Sequence, residues 1–343
     1  MEWEKALHSD GVAFSVRQTS DGGYIIGGSQ WVMKTDSIGN EEWRNDFDSG
    51  HARSVQQTAD GGCVICGWTV DSAGLGEAEA WVMKLDSSGN EEWGKRFGPG
   101  DAWSVQQTAD GGYIIGAATN CSVDEMGDTD RCDVRVIRID SSGDLQWEKT
   151  FSDPNEGSGL GLSLQQTSDG GYIILASRSG TGSFLTKTNS EGNEMWEKTF
   201  EGFRSSSPVQ QTSDGGYAFL AQEFSPDSGE FLRRNWLIKT DSSGEEERIK
   251  VFNYGYGWSV QESSDGGYIV LAFKDDKGSF LTKTNSTFIE DWEKVFADVD
   301  PTSVQQTSDG GYIVVATKCP DLHESTPDDC EVWLIKISGS PRG

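Results

Sequence analysis

Near-copies of one short phrase constrain this chain more than any other feature. Ser54-Val55-Gln56-Gln57-Thr58-Ala59-Asp60-Gly61-Gly62 returns almost unchanged around Asp110, Asp169, Asp214 and Asp309, and in looser form around Asp21 and Asp265. The successive Asp-Gly-Gly anchors lie 39, 50, 59, 45, 51 and 44 residues apart, a mean near 48. That period suits a repeat of four short strands, for which spacings run at about 40 to 50 residues. One such unit cannot bury its own apolar face, so the repeats must pack on one another.

Inside each repeat the pattern reads as four strands. Ser-Val-Gln-Gln-Thr is the first, Asp-Gly-Gly a hairpin turn whose glycines can take positive φ, and Gly-Tyr-Ile-Ile-Gly-Gly the second. The third is Trp31 to Asp36, echoed by Trp81 to Asp86 and Trp236 to Asp241. Asp-Ser-x-Gly-Asn makes another tight turn, and the fourth strand carries Trp43, Trp93, Trp147, Trp196 and Trp292. Repeat five departs, with Arg248 where Trp is expected. The last repeat ends at Gly339 without a fourth strand, and Glu2-Trp3-Glu4-Lys5-Ala6-Leu7 at the other end of the chain has its pattern. The expectation is an all-β, seven-bladed β-propeller of four-stranded antiparallel blades. It forms one domain over 1–343. Residues 2–7 supply the outer strand of the last blade, which leaves no sheet edge open.

With SVQQTxDGGYIxxG followed by WLIKTDSxGNxxW as the repeat, the chain resembles a family of tandem-repeat β-propellers in archaeal and bacterial secreted or surface proteins. The resemblance spans nearly the whole chain and implies fold more than function. The Asp-x-x-x-Gly-x-x-x-Trp turn is also distantly similar to quinoprotein propellers, in which the Trp docks between blades. Trp3, Trp43, Trp93, Trp147, Trp196 and Trp292 would have that role here. Quinone-binding members use adjacent cysteines, and this chain has no Cys-Cys pair, so no cofactor is expected.

Composition narrows the partners. Against 28 Lys and Arg stand 56 Asp and Glu, a net charge of −28, which excludes a basic stripe for nucleic acid. Hydrophobic residues are only 34%, yet 13 Trp, 15 Phe and 8 Tyr can build a core, so disorder is not expected. No apolar run reaches the roughly 20 residues of a membrane helix, so membrane insertion is not expected. Like-charge repulsion favours a monomer. The start, Met1-Glu2-Trp3-Glu4-Lys5, carries no apolar signal stretch. An exported protein of this kind is therefore expected to be an excised domain of a larger precursor.

The short Asp-Gly-Gly and Asp-Ser-x-Gly-Asn turns share one face of the disc and read as structural. Connections on the opposite face vary, and variable loops on a rigid scaffold are where binding residues usually sit. One position at the entry of the innermost strand also varies: Phe14, Arg53, Trp103, Leu162, Ser207, Trp258 and Thr302. Phe14, Arg53, Trp103 and Trp258, with Tyr256 and His51 nearby, form a candidate platform for a sugar or peptide. The repeated Lys34, Lys84, Arg138, Lys187, Lys239, Lys283 and Lys336 are read as structural ion pairs with the turn carboxylates. The Gln-Gln pairs are read as partners for backbone groups between blades.

Cys121 with Cys132, and Cys319 with Cys330, bracket equivalent insertions and are expected to form disulfides, hence an extracellular or cell-surface setting. Cys63 and Cys66 are expected as buried free thiols on opposite faces of a strand. Asp124, Asp128 and Asp130 in one bracketed loop, and the acidic run 321–329 in the other, are candidate calcium ligands. His8, His51 and His323 fall on the variable face, where they allow an acid–base cluster with Asp10 or Asp48. No His-Glu-x-x-His, Gly-x-Ser-x-Gly or phosphate-loop motif occurs. The reading is a binding or scaffold propeller for carbohydrate or a protein partner. A polysaccharide hydrolase or lyase, and a purely structural surface module, are the alternatives.

Overall fold

The computed structural model describes the chain except for residues 71–76, 124–128, 152–157, 179–180, 206, 225–230, 253–254, 275–277, 320–329 and 340–343, and some side chains beside these gaps and at 8–10. The chain is a β-propeller: antiparallel sheets stand in a ring, and the innermost segment of every repeat contributes side chains to a shared central cavity.

The Asp-Gly-Gly turn shows why the repeats fold alike. Asp60 Oδ1 accepts the Thr58 hydroxyl at 2.5 Å and the Gly62 N–H at 3.0 Å, closing the hairpin. Gly61 sits at φ +86°, where a side chain is strained, and a Cβ on Gly62 would lie 2.2 Å from the Leu85 carbonyl oxygen and 2.6 Å from Lys84 Nζ. That space belongs to the lysine. The buried Lys84 Nζ reaches Asp60 at 2.9 Å, Glu92 at 2.8 Å and the Leu85 carbonyl at 3.0 Å, three acceptors for three protons. Lys34, Lys187, Lys239, Lys283 and Lys336 pair with their own turn aspartates in the same way, and Arg138 with Asp110. The basic ring is thus internal wiring.

These pairs set an acid limit. Partial burial alone would raise the carboxyls of Asp21, Asp60, Asp169, Asp214 and Asp309. Hydrogen bonds from lysine, threonine and the glycine N–H outweigh it and hold each at about 2. The unfolded chain titrates near 4, so their contribution is complete above that value and is lost as pH falls from about 4 to about 2. Melting temperature is expected to drop steeply in that window and less steeply in Asp60→Asn. A flat profile between pH 4 and 2 would refute the role given to these turns.

Neighbouring repeats bury apolar side chains between them. Val64, Cys66 and Val82 pack on Ala102, Ile115 and Ile137 of the next repeat, while Ile65 and Cys63 face the preceding one with Val32 and Ile25. Cys63 and Cys66 are free, buried and in different clusters, as alternation along a strand requires. Burial pushes the Cys63 thiol up to about 12.

Two belts of hydrogen bonds tie the inner strands. The first glutamine of each pair accepts the main-chain N–H of the next repeat, as in Gln56 from Gln107 at 2.5 Å and Gln106 from Gln166 at 2.6 Å. The second glutamine accepts from the turn of the repeat before it, as in Gln57 from Ser20 at 2.7 Å and Gln107 from Ala59 at 2.8 Å.

At the rim Trp3, Trp43, Trp93, Trp147 and Trp196 each lie on the turn glycine of the following repeat. A Cβ on Gly89 would be 2.6 Å from Trp43, and one on Gly244 would be 2.6 Å from Trp196. The indole N–H of Trp43 donates to the Ser87 carbonyl at 3.1 Å, and that of Trp93 to the Ser141 carbonyl at 3.2 Å. Edge contacts with the next tyrosine complete the joint, such as Trp93 to Tyr113 at 5.6 Å. The junction after Arg248 is built differently. Phe288 replaces the turn glycine at φ 66° and sets its ring 5.2 Å from Tyr268, while Arg248 donates to the Ser286 carbonyl and lies over the Phe288 ring.

The chain ends meet in one sheet. Strand Trp3–Asp10 pairs antiparallel with Glu331–Ile337, Trp3 opposite Lys336 and Leu7 opposite Val332.

The expectation of seven separate four-stranded blades is corrected: among the described residues the sheets number six, two of them bridged by the single pair Cys132 and Ser158. Repeats one and two share one six-stranded sheet. The cause is local, because Ser29 pairs with His51 as well as Trp31 with Asp46. The ladder therefore runs through the connection, and Glu41–Gln57 is one strand serving both repeats. Tyr24–Thr35 likewise carries two segments of repeat one in one run, with Gln30 at φ 63°.

Candidate functional site

The variable position at each inner strand has a structural cause. Pairing shifts by one residue between Ala13 and Ser15, Ala52 and Ser54, Ala102 and Ser104, Gly257 and Ser259, and Pro301 and Ser303. Phe14, Arg53, Trp103, Trp258 and Thr302 are the extra residues. A bulge frees its side chain from the alternation of the strand and re-aims it. These residues line one cavity of about 490 Å³, together with the serines and first glutamines of the repeats. Its size is that of a site for a small ligand, which runs at about 300–1,000 Å³.

Of the expected residues, Phe14, Arg53, Trp103 and Trp258 line this cavity, and His51 and Tyr256 lie outside its lining. Arg53 forms an ion pair with Asp101 at 2.8 Å and lies over the Trp103 ring at 4.1 Å from its centroid. Burial pushes the Asp101 carboxyl up to about 6, even with Arg53 pulling it down. Trp258 is 47% exposed and Tyr256 45%, unusual for such large rings. Phe14 stands edge-on to His51 at 5.5 Å, and Trp68 lies 4.6 Å from His51 on another side. Burial, and then the Arg53 charge, lower the His51 pKa, and its Nδ1 has no hydrogen-bond partner among the described residues. His51 therefore sits between aromatic rings, with no carboxylate partner among the described residues, and the Asp10 side chain lies outside them. The cluster proposed for it rests on the side chain of His8 and on His323, which lie outside the described residues.

Disulfides join Cys121 to Cys132 and Cys319 to Cys330. Asp124 and Asp128 lie outside the described residues, as does the Asp130 side chain. Among the described residues no group of three or more His, Cys, Asp or Glu is placed to hold a metal ion.

Trp68 adds to the aromatic platform by closing over His51, a contact that depends on the pairing of those two residues across the sheet. Sequence reading passed over one feature. Arg17 stands in the column occupied elsewhere by the first glutamine and faces the same cavity. Reading that column for its one exception would have found it.

No protein-family model matches the chain, and no curated protein sequence matches it. Among solved structures it is similar to the quinohemoprotein alcohol dehydrogenase ADHIIG of Pseudomonas putida HK5, with 11% identity and a TM-score of 0.56. That likeness covers 94% of this chain and 66% of the dehydrogenase. It is also similar to the Neurospora crassa Pan2 WD40 domain, at 13% identity and TM-score 0.56, covering 97% of this chain and 90% of that one. The Dos1 propeller matches at 11% identity and TM-score 0.58, covering 97% and 80%. Likenesses this remote establish the propeller fold, a scaffold compatible with binding and protein interaction.

Proposed function

We propose that the protein is an extracellular or surface binding propeller of the secreted tandem-repeat kind, taking carbohydrate at the mouth of its cavity. The observation that carries this reading is the bulge set. Phe14, Trp103 and Trp258 are displaced toward one cavity from three different strands, with Arg53 stacked on Trp103. Flat rings stack on the apolar faces of sugars, while guanidinium and hydroxyl groups take the ring hydroxyls. The two disulfides support an oxidising compartment. A hydrolase would use a pair of carboxylates across the bond to be cut. The cavity's described lining instead offers aromatic rings, amides, hydroxyls and guanidinium groups.

A glycan-array screen, run with calcium and then with chelator, tests the reading. A saturable hit is expected, and Trp103→Ala should weaken it tenfold or more, about 1.4 kcal/mol. Loss with chelator alone would move the site to the acidic loops. A blank array would discard carbohydrate in favour of a protein partner.

A further inference from the structure

Arg17 is the single basic exception in a ring of glutamines. Gln56, Gln106, Gln165, Gln210, Gln261 and Gln305 occupy the equivalent position, and each turns its Oε1 to a main-chain N–H of the next repeat at 2.5–2.7 Å. An N–H can only be met by an oxygen, so the orientation of all six amides is fixed. Their NH2 groups are left over, with no acceptor among the described residues. Arg17 lies three residues beyond the bulge at Phe14, about 10 Å deeper along the strand. Its Nη1 donates to the Val16 carbonyl at 2.8 Å, and among the described residues it meets no carboxylate. Every other basic side chain at a repeated internal position has an acidic partner, so an unpaired guanidinium in a chain of net charge −28 stands out. Burial lowers its pKa, as expected for a cation without a counter-charge.

We propose that the inner part of the cavity is an anion site, in which Arg17 and the neighbouring glutamine NH2 groups receive the carboxylate of a small ligand. The side chains around it are rich in donors: one planar guanidinium fork and planar amides, with the hydroxyls of Ser54, Ser163 and Ser303, which accept main-chain N–H groups and keep their own protons, able to add more. A carboxylate offers two oxygens in one plane and matches that fork. The proposal stands apart from the aromatic mouth, because its simplest ligand has no ring to stack.

Arg17→Gln is a favourable test variant. It installs the residue that six repeats already carry, and it gives the Gln57 N–H the acceptor that Arg17 lacks. Calorimetric titration of the whole chain with sodium acetate, at constant ionic strength, should show saturable binding that weakens at least tenfold in Arg17→Gln. The melting temperature of the variant should equal or exceed that of the parent, which separates lost binding from lost folding. Equal acetate binding by the two proteins, or no saturable heat, would overturn the proposal. Inorganic phosphate in a parallel titration checks the ligand class: tighter binding of phosphate than acetate would overturn the assignment to a carboxylate. Because acetate cannot report on sugar stacking, failure here leaves the aromatic mouth to be judged by the glycan screen alone.

Discussion

Deletion of residues 1–7 is expected to remove most of the stability of the fold. The segment contributes the pairs from Trp3 with Lys336 to Leu7 with Val332. It also places the 5%-exposed Leu7 in a core shared by the first and last repeats, with Trp3 packed against it. Losing one buried leucine and one half-buried tryptophan costs about 5 kcal/mol, a large part of the roughly 5–15 kcal/mol that holds a domain together. The deletion also bares the edge of Glu331–Ile337, a template for pairing with another chain. Expected results are a melting transition lowered by 10 °C or more, on the order of 2 °C per kcal/mol, and concentration-dependent association on size exclusion. Added peptide covering residues 2–10 should restore the monomer by strand addition. A deletion that melts with the parent and stays monomeric would show that the closing strand is dispensable.

The second large effect concerns the junction after Arg248. At Trp93 one tryptophan does two things: its indole N–H holds the Ser141 carbonyl of the next turn, and its ring covers Tyr113. Here the tasks are divided, Arg248 holding the Ser286 carbonyl and Phe288 covering Tyr268. Arg248→Trp alone drives a second ring into occupied space, at about 1–3 kcal/mol. Phe288→Gly alone opens a hole, at about 3–5 kcal/mol, and recovers only about 1 kcal/mol from relief of its positive φ. On that scale Arg248→Trp should melt about 2–6 °C lower and Phe288→Gly about 4–8 °C lower. The double variant recreates the joint seen at Trp93, Gly143 and Tyr113 and should return close to the parent, a coupling of about 2 kcal/mol or more. Additive losses in the double variant would refute the exchange of roles.

The same joint shows what could be read from the chain alone. Turn chemistry was legible because Asp-Gly-Gly leaves little choice: one glycine must take positive φ and the other must leave room for a lysine. The lysines therefore belonged to structure, and the ion pairs agree. Arg248 was visible as a departure, yet its counterpart Phe288 lies in the next repeat, and reading repeats one at a time does not join them. The number of sheets was not legible, since it turns on whether Ser29 pairs with His51 across a connection, which no side-chain pattern encodes. Of the candidate site, the column of variable residues was visible and the structure brings it to one cavity. The bulges that aim it were not, because an extra residue in one strand is defined only against its partner. Arg17 was in plain sight, hidden by attention to the residues that repeat rather than to the one that does not.

Each rim tryptophan and the glycine beneath it belong to different repeats, so the element that duplication must preserve is the joint and not the copy. A repeat lifted from one place and inserted at another brings half of two locks and fits only where both neighbours carry the matching halves. The five copies with Gly39, Gly89, Gly143, Gly192 or Gly244 under a tryptophan could trade places on that criterion at one side, whereas the copy bearing Phe288 has a single acceptable predecessor. Divergence after duplication is then free within a repeat and bound in pairs across its borders, and the chain's history is constrained by adjacency rather than by resemblance.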